Sequence, residues 1–181
     1  VRLGVTTSHN NGDSAGDSSI NATDLTLRMS DDSWIKLQAA ESDGIVASTW
    51  TSSDGGFGFS RPPLDPAVGG RAGAHRADLS VGLADVINGG RGKLNVYHQR
   101  LEAGYSGAGL TSLSDLDQYG ARFEMDVTPE LSLAVKADSS RQDEGLEASS
   151  EEVNVGYRAA EQWTVSAGIR RDDRQDDSPV V

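Results

Sequence analysis

The sequence predicts an all-β protein: an antiparallel up-and-down meander forming a segment of a transmembrane β-barrel. Three observations carry that expectation. Apolar and polar residues alternate strictly in stretches of about nine residues, close to the length needed to cross lipid at a tilt. Aromatic residues sit beside the short turns, as a girdle at one membrane interface would require. Short turns alternate with long connections rich in Gly, Ser and Asp. Composition agrees. Leu, Ile, Val and Phe make up about one fifth of the 181 residues, and the net charge is −12. A sizeable water-soluble core is hard to build from that mixture, whereas a water-filled lumen needs no hydrophobic filling.

In chain order, Val1, Leu3 and Val5 read as part of a strand. Leu25, Leu27 and Met29 alternate with Asp24, Thr26 and Arg28, and Asp31-Asp32-Ser33 turns the chain. Ile35, Leu37 and Ala39 then alternate with Lys36 and Gln38. Ile45 to Thr51 reads as a strand followed by Asp54-Gly55-Gly56, and an irregular loop is expected near 53–76, holding three of the five prolines. Ala77 to Ile87 fits a strand through Leu79, Val81 and Leu83, or a short helix through Leu79, Leu83 and Val86; strand is the reading taken. Asn88-Gly89-Gly90 turns into Lys93 to Tyr105, where the apolar parity shifts between Val96 and Leu101 and suggests a bulge or a tilted, partly exposed strand.

The second half is clearest. Tyr119, Ala121, Phe123, Met125 and Val127 share one face, with Gly120, Arg122, Glu124 and Asp126 on the other. Thr128-Pro129-Glu130 turns, because Pro fixes its φ and donates no hydrogen bond. Leu131, Leu133, Val135 and Ala137 alternate with Ser132, Ala134, Lys136 and Asp138, completing a hairpin. A second hairpin pairs Val153, Val155 and Tyr157 with Trp163, Val165, Ala167 and Ile169 around a turn at Ala159 to Gln162. Long polar connections are expected at His9 to Ser19, Ser106 to Gln118 and Ser139 to Ser150. The whole chain, 1–181, reads as one barrel segment of about nine or ten strands.

Several function classes are disfavoured. With no Cys there are no disulfides, thiolate metal sites or Cys nucleophile. The acidic balance argues against nucleic acid as a partner. No apolar run approaches the roughly 20 residues of a membrane helix, and nothing at Val1 resembles a signal peptide, so an export signal is expected to have been removed or to lie outside the segment.

The segments GRGKLNVYHQRLEAGYSGAGL, QYGARFEMDVTPELSLAVKADSSRQDEGLE and WTVSAGIRRDDRQDDSPVV resemble the barrel region of very large proteobacterial outer-membrane proteins. The resemblance covers roughly residues 77–181 and rests on strand and turn wording. It implies that this chain is part of a larger barrel, and it carries over no active residues.

Candidate sites are few. Gly104-Tyr105-Ser106-Gly107-Ala108 distantly matches a nucleophile elbow, but that motif needs a strand leading into a helix, and the stretch reads as loop. Asn88-Gly89-Gly90-Arg91-Gly92-Lys93 contains a Gly-Lys pair, yet Ile87 and Leu94 occupy positions that a P-loop reserves for Gly and Ser/Thr. His9, His75 and His98 lack metal spacing. Asp172, Asp173, Asp176 and Asp177, or Asp143, Glu144 and Glu147, offer carboxylates to weakly held divalent cations, without an EF-hand pattern. Solvated acidic loops explain them more simply.

The reading is therefore a non-catalytic segment of the bacterial outer membrane, acting as anchor, pore or export conduit, with no cofactor. The expected lipid-facing residues are Leu25, Leu27, Met29, Ala121, Phe123, Met125, Val127, Leu131, Leu133, Val135, Val153, Val155, Val165 and Ile169. Trp34, Tyr157 and Trp163 are the expected interfacial aromatics. The expected partners are outer-membrane lipid and further strands, from the same larger protein or from neighbouring subunits. The alternative is a soluble all-β adhesive or structural module, with the apolar faces packed on a core.

Overall fold

The computed structural model describes residues 1–12, 16–44, 70–107, 110–143 and 145–176. The strands are β1 (Arg2–Gly12), β2 (Gly16–Arg28), β3 (Trp34–Asp43), β4 (Ala72–Gly82), β5 (Gly92–Leu101), β6 (Ser106–Gly107), β7 (Leu110–Thr111), β8 (Leu116–Asp126), β9 (Leu131–Gln142), β10 (Leu146–Ala160) and β11 (Trp163–Asp176). A single helical turn, α1 (Leu83–Val86), joins β4 to β5. Nine strands form one sheet in the order β1-β2-β3-β4-β5-β8-β9-β10-β11, each antiparallel to its neighbours. β6 and β7 form a separate small hairpin. The chain is thus an all-β, up-and-down antiparallel meander, and among the described residues the sheet is open, with β1 and β11 at its edges.

The register aligns the alternating residues into continuous rows. Leu27, Ile35, Leu79, Val96, Ala121 and Ala137 lie side by side from β2 to β9. Val81, Leu94, Phe123, Val135, Val153 and Ile169 do the same from β4 to β11. On the opposite face run Lys36, Asp78, Tyr97, Gly120, Asp138, Ser150 and Asp172. One face is therefore apolar and the other polar across the sheet.

Along β3 and β10 burial is the reverse of that in a soluble sheet, whereas on β8 and β9 Phe123, Met125 and Val135 are half-buried and Arg122 and Lys136 exposed. Every strand residue outside the small hairpin that is fully buried lies on the polar face: Ser42, Ala72, Ala74, Ser80, Gly82, Gln99, Leu101 and Gly120. Along β3 the apolar positions Ile35, Leu37 and Ala39 are exposed, while Trp34, Lys36 and Gln38 are half-buried. β10 repeats the pattern, with Val153, Val155 and Tyr157 exposed and Glu152, Asn154 and Gly156 half-buried.

Several connections differ from expectation. The stretches His9 to Ser19 and Ser139 to Ser150, expected as long loops, are mostly strand: β1 pairs with β2 as far as Gly12 opposite Gly16, and β9 and β10 close around 143–145. Ser, Thr and Asn lack an apolar period, but their backbones extend the hydrogen-bonded ladders equally well. Asp172, Asp173 and Asp176 likewise belong to β11 and not to a loop. β4 starts at Ala72, inside the expected irregular loop near 53–76. Ala77 to Ile87 is strand only to Gly82, with Leu79 and Val81 on it; Leu83 and Val86 lie in the helical turn, which does not reach back to Leu79. The expected strand Ile45 to Thr51 and the turn Asp54-Gly55-Gly56 lie outside the described residues. The expected bulge before Leu101 is absent: β5 keeps an unbroken register with β4 and β8. The register shift falls instead between Arg158 and Ala160 of β10.

Candidate functional site

The two faces of the sheet, with one inward fold at its end, are the features able to carry function. The expected lipid-facing residues of the strands share one face. Met29 and Val127 stand just beyond β2 and β8 and are exposed. Leu3, Val5, Leu37, Leu79, Leu94 and Val96 join the same face by register, and the alternation that flagged their neighbours applies to them as well. On β8, Tyr119 to Val127 provides five successive outward positions, a span of about 27 Å at about 3.4 Å per residue. With barrel tilt this is close to the apolar band of an outer-membrane barrel. Above the band, Arg100, Asp117, Arg141 and Glu147 lie side by side on β5, β8, β9 and β10 as a ladder of alternating charge.

Of the three aromatics expected at the interface, Tyr157 and Trp163 lie on the apolar face at the end of the β10–β11 turn, 53% and 70% exposed. Trp34 does not join them. Ile35 faces the apolar side with Leu27 and Leu79, so its neighbour Trp34 points to the polar face, between Arg28 and Ser80 in the register.

The polar face repeats one device. A base two residues before an acid places both on the same side of a strand. Arg76 and Asp78 approach to 2.7 Å, Arg122 and Glu124 to 2.5 Å, Lys136 and Asp138 to 3.2 Å, and Arg170 and Asp172 to 2.8 Å. Arg76 also donates to Gln99 at 2.8 Å and lies 5.3 Å from the centre of the Tyr97 ring. Such half-exposed pairs add little stability singly; they keep charge on this face neutralised and oriented. Three of the acids proposed as divalent ligands are drawn into ion pairs: Asp172 and Asp173 with Arg170 and Arg171 along β11, and Glu147 with Arg141 across β9 and β10. Among the described residues no three His, Asp or Glu side chains are arranged to hold a metal ion. Glu144 and Asp177 lie outside the described residues.

At the short-turn end, the β2–β3 turn is tied to α1. Asp85 accepts hydrogen bonds from the hydroxyls of Ser30 and Ser33, both at 2.5 Å. Ser33, itself buried, accepts the Gly82 N–H at 2.9 Å, and the Ser80 hydroxyl donates to the Asp32 carbonyl at 2.6 Å. The two hydroxyl donors hold the Asp85 carboxyl below its ordinary value. Asn88 to Gly92, the stretch resembling a P-loop, follows this helical turn and leads into a strand; the P-loop order is the reverse.

At the opposite end, the β5–β8 connection folds over the polar face. Leu101, 2% exposed, packs with Ala72, Ala74 and Tyr105, and Ala40 and Leu116 border the cluster. The Ser106 N–H donates to the Ser42 hydroxyl at 3.0 Å, which carries β6 across β4 to β3. Ser106 therefore sits in a small hairpin against another serine, and the strand-to-helix geometry of a nucleophile elbow is not formed. Burial raises the Tyr105 phenol above its ordinary value. This contact also explains the parity change at Leu101, whose apolar side chain is covered from the inside. The parity change is the one sequence signal that pointed to it.

His98 pairs with Asp117 at 2.9 Å, and the described histidines share no cluster. No described helix is long and apolar enough to cross a membrane. No protein-family model, curated protein or solved structure matches the chain.

Proposed function

We propose that this sheet is part of a transmembrane β-barrel of the bacterial outer membrane, acting without catalysis as an anchor, pore or export conduit. The observation that carries the reading is the distribution of burial: apolar residues such as Leu37, Leu79, Val96 and Val153 are exposed on one face, while the fully buried strand residues, Ser42, Ser80 and Leu101 among them, lie on the other, which also carries the half-exposed ion pairs. Lipid would cover the first and water would fill the second. The strand wording of 77–181 points the same way. A soluble all-β module would instead bury the row of Phe123 and Val135 beneath a second layer.

The open edges add a constraint. Nine strands of alternating direction leave β1 and β11 running the same way. Antiparallel closure therefore takes an odd number of further strands, supplied by the same larger protein or by a neighbouring subunit. Closure is required in lipid because an open edge leaves N–H and C=O groups without partners.

Topology tests the reading. In intact cells, Leu113→Cys and Asp143→Cys, at the end opposite α1, should react with an impermeant thiol reagent. Glu130→Cys and Glu161→Cys should react only after the outer membrane is opened. Reaction of all four in intact cells, or recovery of the protein in the soluble fraction without detergent, would rule the barrel out.

A further inference from the structure

We infer that the β5–β8 connection is an inward-folded constriction of the barrel lumen, seated on the polar face by Tyr105 and by the hydrogen bond from Ser106 to Ser42. This deepens the channel form of the function proposed above and rests on it.

The sequence builds the seat locally. Glu102 and Gly73 clasp each other: the Glu102 N–H donates to the Gly73 carbonyl at 2.9 Å, and the Glu102 carboxylate accepts the Gly73 N–H at 2.6 Å. The chain then reverses at Gly104, whose φ of +89° suits glycine. The Gly104 N–H donates to the Ser112 carbonyl, and the Ser112 N–H to the Tyr105 carbonyl, both at 2.9 Å. The two arms of the connection are thereby held together.

Small residues make room for the ring. Ala72 and Ala74 stand where longer side chains of β4 would fill the space, and Tyr105 is 7% exposed against them. Gly107 is bare for the same reason: a Cβ there would lie 2.7 Å from the Tyr105 hydroxyl oxygen and 3.0 Å from the ring. At the other end of the same face the β2–β3 turn lies over Ser80 and Gly82, but it brings no aromatic ring there. Beneath Tyr105 a recess of about 270 Å³ remains, lined by Gln38, Arg76 and Gln99. A solute passing along the polar face would meet this recess and its aromatic roof at the end opposite α1. Ala40, Ala74 and Leu101 also line the recess, so it offers apolar as well as hydrogen-bonding and charged surface.

The test uses the full protein in native outer-membrane vesicles, and the chain has no cysteine of its own. A Ser42→Cys/Ser106→Cys pair should be bridged by dibromobimane, which fluoresces when both bromines are displaced. Labelling of each single cysteine by monobromobimane without bridging of the pair would overturn the inward seat. Current is then read after purification into planar bilayers. Tyr105→Ala and Gly107→Val unseat the hairpin by different routes, and each should raise conductance at least twofold. Bridging positions 42 and 106 in the Tyr105→Ala background should return it toward the wild-type level. Equal conductance in all variants would overturn the constriction. Bridging without current in any variant, the wild type included, would remove the channel, and the constriction with it, while leaving the hairpin seated.

Discussion

The ring of Tyr97 on β5 lies across Gly120, its directly paired residue on β8. A Cβ at Gly120 would come within 2.6 Å of the Tyr97 ring and 3.0 Å of the Ala137 carbonyl oxygen. The missing side chain lets the ring lie flat on the neighbouring strand, where Arg76 stacks 5.3 Å away. An aromatic residue over a strand glycine fixes register on a curved sheet.

Gly120→Val should therefore displace Tyr97 and its contact with Arg76. Overpacking of this kind costs about 1–3 kcal/mol. The expected result is a lower midpoint in heat-modifiability of the assembled protein. Tyr97→Ala in the Gly120→Val background should recover part of the loss by removing the collision. An unchanged midpoint in Gly120→Val would show that the ring is not held there.

Phe123 faces Val135 on the apolar side, while their neighbours Arg122 and Lys136 face each other on the polar side. Phe123→Arg and Leu133→Arg should impair membrane assembly, since a lipid-facing Arg near the midplane costs about 2–4 kcal/mol. Arg122→Ala and Lys136→Ala remove charges that already meet water and should assemble nearly as the wild type does. Folded and unfolded fractions on cold gel electrophoresis separate the two sets. Equal losses in both would contradict a lipid-facing apolar side.

The Asp85 carboxyl is held below its ordinary value by Ser30 and Ser33, so its stabilising effect follows from linkage. A depressed folded pKa contributes stability that is present above the unfolded value, about 3.9. That contribution fades as pH falls through the folded value. Hydrogen exchange of the amides of Met29 to Ser33 should rise between pH 4 and lower values in the wild type, beyond the intrinsic pH trend. In Asp85→Asn those amides should be less protected at neutral pH and follow the intrinsic trend alone. Matching profiles for the two proteins would place the restraint elsewhere.

The hairpins around Pro129 and Glu161 were legible because their signal is local. A period of two beside a turn residue needs no knowledge of the rest of the chain. Polar strand extensions such as Ser139 to Gln142 were not legible, because backbone pairing there leaves no apolar pattern. Trp34 takes the face opposite Tyr157 and Trp163, because a position beside a turn says where a residue lies along the strand and not which face it takes. Leu101 shows an anomaly whose cause, Tyr105 folding back over the polar face, arises from contacts of the β5–β8 connection with β4 and β3.

The sequence by itself determined the all-β class, the meander order and the composition of the two faces, because alternation and turn chemistry act over a few residues. Only the tertiary structure decided which face is shielded. That depends on how residues of neighbouring strands pack, and on a hairpin crossing from the end of β5 to Ser42 on β3. Cross-strand packing and seating are properties of the assembled sheet. They are set by packing between residues far apart in the chain, and so leave no period in any single stretch of it.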